Sequence, residues 1–341
     1  MRIRDAETGR IRPLTIVALA TCLLAGGTVG AGAGGLFTTD TPAEAAGDTI
    51  AKVASGQQQD RAADPGMTPP PRNDSATETV YMVKGYDETR EVPPGVSCNY
   101  RWSTAIKAMK EWGWAKSKKN FVQVGFYKED FKCDINLAKK DGTRDLSIKE
   151  LGRRLAWNIH LNHSRWGRSV DVIGHSMGSL IIRAALAGTE RGEKDWPPYV
   201  YVEDAVTLGG PHQGAWLSDY CLPSGHINEQ CNEMARTSPF MNWLGKTDAG
   251  QAEGGTDWTA IGSKTDEAVL PGSATPRNIG IRHLVRYSSE AGINHGDLRL
   301  LTEGTYPMEH SNDAGSNWKD NDAGAAPLRA AFNALYFHSR W

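Results

Sequence analysis

Long stretches of one charge are missing from these 341 residues: 38 lysines and arginines face 40 aspartates and glutamates, for a net charge of −2. Without a basic stripe, recognition of a nucleic-acid backbone has no electrostatic footing. The sequence holds no Gly-x-x-x-x-Gly-Lys-Ser/Thr phosphate loop, no His-Glu-x-x-His pair and no Cys/His cluster with zinc spacing. Nucleotide and metal chemistry therefore lack support, and no cofactor is expected. Internal repeats are absent too. Hydrophobic residues make up 39%, enough to build a buried core.

The front end departs from this ordinary composition. Arg2, Arg4, Arg10 and Arg12 precede a charge-free apolar stretch, residues 14–25, and then a Gly/Ala run to Gly35. Basic, apolar and small residues in that order form a secretory signal, assigned here to residues 1–33, so a secreted location is expected. Ala31-Gly32-Ala33 offers one cleavage site and Ala43-Glu44-Ala45 another. The alternative is an uncut membrane anchor, because no charge interrupts the chain between Arg12 and Asp40. Beyond the signal stand Cys98, Cys133, Cys221 and Cys231, which an oxidising exterior favours as disulfides. Of the three pairings, Cys98–Cys133 with Cys221–Cys231 is preferred, because each bond closes a local loop.

Residues 34–77 are rich in Pro, Ala, Gly, Asp and Thr and poor in large apolar side chains. Such a segment buries too little to fold and reads as a flexible linker. Residues 78–341 follow a different pattern. Short apolar runs beginning at Thr79, Phe121, Val170, Val200, Thr259 and Ile281 read as strands. Between them, Trp102, Ala105, Ile106, Met109 and Trp112 recur at helical spacing. Ser147 with Glu150 caps a second helix carrying Leu151, Leu155 and Ile159, and a last helix carries Leu328, Ala331, Phe332 and Leu335. Strands alternating with helices predict an α/β domain, a mostly parallel sheet covered on both faces. Residues 215–250 break the alternation and predict an excursion over the end of the sheet.

Gly174-His175-Ser176-Met177-Gly178 lies between an apolar strand and an Ala-rich helix. A serine hydroxyl becomes a useful nucleophile only when exposed beside a base. The Gly-x-Ser-x-Gly spacing supplies the exposure: the turn is too sharp for side chains at 174 and 178. With Thr207-Leu208-Gly209-Gly210-Pro211-His212-Gln213-Gly214, the Ser263-x-x-Asp266 element and His295-Gly296-Asp297-Leu298, the chain resembles the α/β-hydrolases. More narrowly, it resembles the secreted bacterial lipases and esterases. That resemblance spans Thr79 to about Leu301. It implies an α/β-hydrolase fold and the order nucleophile, acid, histidine.

The resemblance assigns Ser176, Asp266 and His295 to the triad, with Glu267 and His310 as fallbacks. The backbone N–H groups of Met177 and Tyr86 would form the oxyanion hole. Related hydrolases usually carry His where this chain has Lys84, before Gly85 and Tyr86, which leaves the anchoring of that loop to be explained. In the insertion, Trp216, Leu217, Phe240 and Trp243 are candidates for an acyl-chain groove; their other use would be packing on the end of the sheet. The expected function is a secreted hydrolase of carboxylic esters or lipids, a monomer touching a lipid interface transiently. An acyltransferase or thioesterase with the same triad is the alternative, and a non-catalytic cell-surface protein the third reading.

Overall fold

The computed structural model describes residues 2–4, 11–13 and 68–341, except 73–75, 88–93, 115–119, 217, 219–227, 246–247, 278 and 337–340. The chain divides into two units, residues 1–53 and 54–341. In the first, Arg2–Arg4 and Ile11–Pro13 pair as short antiparallel strands. The apolar stretch of the expected signal and most of the expected linker lie outside the described residues. Within the latter segment, Arg72, itself part of the second unit, pairs with Asp204 at 2.9 Å and donates to the Glu203 carbonyl.

The second unit is built on nine strands: β1 (Val80–Val83), β2 (Phe121–Gly125), β3 (Ile135–Asn136), β4 (Val170–His175), β5 (Val202–Leu208), β6 (Asp257–Ser263), β7 (His283–Tyr287), β8 (Thr305–Ser311) and β9 (Lys319–Ala325). They form one sheet of order β9-β8-β7-β6-β5-β4-β1-β2-β3. All pairs from β3 to β7 are parallel, and β8 and β9 close the far edge as an antiparallel hairpin. That hairpin was not among the expected strands.

Both faces are buried, as a parallel sheet requires. In β1 the side chains alternate: Tyr81 and Val83 join one core cluster, Val80 and Met82 the other. The first cluster holds α2 (Ile148–Asn162) and α3 (Met177–Glu190); the second holds α1 (Cys98–Glu111) and α7 (Pro327–Tyr336). The expected cap is present, since Ser147 accepts the Glu150 N–H at 3.0 Å. Among the described residues no helix is long and apolar enough to cross a membrane.

Strand order reverses at β1. From it the strands run outward through β2 to β3 on one side, and through β4 to β7 on the other. The carboxyl ends of β1 and β4 thus border the crevice where open α/β sheets bind ligands. Ser176 leaves β4 there, beside the Lys84-Gly85-Tyr86 loop that leaves β1.

Candidate active site

Ser176 sits between β4 and α3 with φ 55° and ψ −130°, a conformation unusual for a side-chain-bearing residue. Neighbours hold it there: its N–H bonds the Leu208 carbonyl at 2.9 Å, tying the turn to the end of β5. The flanking glycines are required by close approach. A Cβ on Gly178 would stand 2.3 Å from the Val83 carbonyl oxygen, and one on Gly174 2.8 Å from the Ser179 nitrogen. Gly85 belongs to the same constraint, since a Cβ there would meet the Ser176 Cβ at 2.8 Å. Met177 opens α3, so its N–H has no acceptor within the helix and lies at the positive end of the dipole.

His295 Nδ1 and Asp266 Oδ2 are 2.8 Å apart, and the carboxylate side chain is fully buried. The other oxygen of Asp266 accepts the N–H groups of Ala268 and Val269, both at 2.8 Å, which fixes the carboxylate plane. The acid loop and the histidine loop are laced together, Thr265 Oγ1 donating to the Ile293 carbonyl at 2.8 Å. Glu267, the fallback acid, accepts the main-chain N–H of His295 at 3.2 Å and leaves the ring to Asp266. His310 lies in β8, opposite Val285 and Lys319, on the antiparallel edge. His283 pairs with Asp257 at 3.2 Å, but at the starts of β6 and β7, the opposite end of the sheet from Ser176.

Two residues that the motifs did not single out complete the geometry. His175 packs its ring on that of His295 at 4.7 Å, and its Nε2 lies 3.1 Å from the His295 carbonyl. Burial holds its pKa well below the ordinary value, so it is a neutral donor to that carbonyl. Gly209, with φ 59°, lies under the triad ring: a Cβ there would come within 2.9 Å of His295 Nδ1. Among the described residues no hydrogen bond closes between Ser176 Oγ and the imidazole in this conformation. Such contacts tighten when substrate binds.

Two aromatics of the insertion are packed on the scaffold. Trp243 stands at the far end of α3: Arg191, the C-cap, donates to the Trp243 and Leu244 carbonyls, and Lys149 lies 4.2 Å over the indole. The 14-residue helix separates it from Ser176 by about 20 Å at 1.5 Å per residue. Phe240 stacks on Trp243 at 5.8 Å and is buried with Met241 and Leu244 in the core. Both residues pack the scaffold, the second of the two uses expected for them. Trp216 is half-buried in the loop running on from Gly209, and Leu217 lies outside the described residues.

Cys98 and Cys133 are bonded as expected. Cys231 is also disulfide-bonded, while Cys221 lies outside the described residues. Among the described residues no group of three or more His, Cys, Asp or Glu is arranged to hold a metal ion.

The model of the class 2 lipase family matches residues 161–296, the span that holds Ser176, Asp266 and His295. No curated protein matches the chain in sequence. Among solved structures, the propeptide form of Bacillus licheniformis lipase BlEst2 is 18% identical with a TM-score of 0.39, over 60% of this chain and 45% of that one. Aspergillus fumigatus lipase B is 16% identical with a TM-score of 0.42, over 79% and 59%. Phospholipase PlaB of Legionella pneumophila in complex with thio-NAD is 13% identical with a TM-score of 0.38, over 58% and 44%. The chain thus spans less than half the length of the first and third of these. The fold assignment rests on its own strand order, on the strained turn at the end of β4 and on the family match across the site. By these the chain has an α/β-hydrolase fold.

Proposed function

We propose that the chain is a secreted serine hydrolase of carboxylic esters that works through an acyl-enzyme on Ser176. The observation that carries this reading is the 2.8 Å pair of buried Asp266 and His295, laced to the loop beneath a serine held at a strained strand–helix turn. In the first half-reaction His295 Nε2 takes the Ser176 proton as Oγ bonds to the ester carbonyl carbon. The carbonyl oxygen gains the negative charge and is met by the N–H groups of Met177 and Tyr86. Collapse breaks the bond to the alcohol, which leaves with the proton from His295. Water then repeats the sequence and releases the acid. Asp266 keeps the imidazole in the tautomer that presents Nε2 to the serine and stabilises its cation.

The class 2 lipase match supports ester hydrolysis in general. The choice between lipase and esterase turns on the acyl chain. The basic, apolar and small-residue order of the N-terminus supports export.

Treatment of the folded protein with a fluorophosphonate, followed by peptide mass mapping, tests the reading directly. One adduct on Ser176, absent from Ser176→Ala, is expected; failure to label Ser176 sinks it. A rate series on esters from short to long acyl chains, dissolved and emulsified, then places the substrate class. Faster transfer to an added alcohol than to water would favour an acyltransferase.

A further inference from the structure

Lys84 carries a charge into the interior with nothing in the reaction above to explain it. The residue is 1% exposed. Its ammonium lies 3.1 Å from Asp130 Oδ2, between the rings of Phe126 and Tyr127 at 3.9 and 4.1 Å from their centroids. Asp130 is itself buried, and its carboxylate collects the N–H groups of Phe126, Tyr127 and Val96 at 2.8–2.9 Å. The segment bearing it is stapled to the start of α1 by the Cys98–Cys133 disulfide and by the Cys98 N–H bond to Phe131. At the other end of the same residue, the Lys84 carbonyl meets the elbow so closely that a Cβ on Gly178 would lie 2.6 Å from it. The next residue, Gly85, touches Ser176.

We infer that Lys84 is a positioning residue: its buried ion pair with Asp130 fixes the Lys84–Tyr86 loop against the nucleophile elbow, so that the Tyr86 N–H faces the developing oxyanion. The inference rests on the serine-hydrolase reading above. It also accounts for the departure from the His usual at this position in similar hydrolases. A lysine reaches from the end of β1 past Phe126 to Asp130 and joins the loop to a rigid, disulfide-bound neighbour. Because the oxyanion donor acts in the transition state more than on bound ester, loosening the loop lowers kcat and leaves KM nearly unchanged.

A buried ammonium also titrates. Desolvation pulls the Lys84 pKa down to about 8, against the opposing pull of Asp130 and Asp87 and with a small push from Arg101 on α1. The Tyr127 phenol beside it is raised by burial and stays neutral. Loss of the proton dissolves the ion pair, so kcat falls on an alkaline limb near pH 8.

The test uses the full chain with p-nitrophenyl butyrate. Lys84→Met is expected to lower kcat about 100-fold with KM within about twofold, the scale of a misplaced catalytic contact. Lys84→Arg restores part of the rate and shifts the alkaline limb upward, since guanidinium does not titrate there. Because Lys84→Met leaves Asp130 unpaired in the interior, Lys84→Met/Asp130→Asn is measured beside it. Wild-type kcat in either folded variant, or an unmoved alkaline limb in Lys84→Arg, overturns the inference. Fluorophosphonate labelling separates the two levels. An unlabelled wild type removes the hydrolase reading itself, whereas a labelled wild type with an indifferent Lys84 removes only the positioning role.

Discussion

At the scale of single residues, the site is a set of close approaches that leave little room for substitution. Removing Ser176 or His295 by Ala takes away parts that act as a unit, and each is expected to cost about 10⁴-fold or more in kcat. Asp266→Asn keeps the shape but favours the wrong tautomer, with a loss of similar order. His310→Ala, on the antiparallel edge, is expected to stay within about twofold of wild type. Steady-state rates on one soluble ester check all four; a large loss in His310→Ala with an active His295→Ala would reverse the assignment. Gly209 is the less obvious residue. It has φ 59°, and the methyl of Gly209→Ala would crowd His295 Nδ1 at 2.9 Å. Strain and displacement of the imidazole together are expected to lower kcat about 100-fold and stability by roughly 1–2 kcal/mol. Rates and thermal melts would report both. The proposed triad could be read from the sequence because each member stands in a short motif and the three keep a fixed chain order. Gly209 and His175 were not assigned roles, although both stand in quoted motifs: their work is done across loops, on a ring that arrives from residue 295.

At the scale of elements, the sequence was readable wherever one face is buried on a regular period. α1 shows Trp102, Ala105 and Met109 buried, and α2 Leu151, Leu155 and Ile159, along the predicted stripes. The hairpin of β8 and β9 was unreadable for the converse reason. Lys319–Ala325 sits at the sheet edge with mostly exposed or half-exposed side chains and has no apolar alternation to read. The insertion was ambiguous for another reason, because aromatics lining a groove and aromatics bracing a helix have the same composition. Its α5 (Pro239–Leu244) braces α3. Arg183, fully buried on α3, gathers the carbonyls of His212, Gly245 and Asp248 at 2.7–3.2 Å and so holds both ends of the excursion. Arg183→Met strands those carbonyls and is expected to cost about 3 kcal/mol. Phe240→Ala opens a cavity at a similar cost of about 3 kcal/mol but leaves acyl-chain preference where it was. Chemical denaturation gives the first quantity, and the ester series the second; a shifted chain-length optimum in Phe240→Ala would return that residue to the acyl groove.

At the scale of the whole molecule, buried ionisable groups give stability an uneven dependence on pH. Desolvation raises the carboxyls of Asp171 and Asp204, near the amino ends of β4 and β5, and lifts Glu233 to about 7. These groups keep protons in the folded state that the unfolded chain releases above the ordinary carboxylate range. Folding therefore loses stability as pH rises toward and through 7. Burial depresses His175, His212 and His163, the last to about 4. Below about pH 6.5 the unfolded chain binds protons that these rings refuse, so acid weakens the fold and offsets the carboxyl gain. Between pH 6.5 and 8 the carboxyl slope is joined by His283: against desolvation, its bonds to Asp257 and Asn312 raise its pKa, so it too weakens the fold as pH rises. Above about 8 Lys84 works in the opposite sense: folded Lys84 has lost its proton while an unfolded lysine holds one to about 10.5, so its contribution to stability rises with pH. The melting temperature should accordingly fall from pH 6.5 to about 8, where Lys84 begins to oppose the descent and kcat begins to drop. Asp171→Asn removes a buried acid without changing its shape and should flatten the descent. Melts at closely spaced pH values decide it. A temperature that climbs from 6.5 to 8, or a descent unchanged in Asp171→Asn, would show that these buried carboxyls do not govern the fold's response to pH.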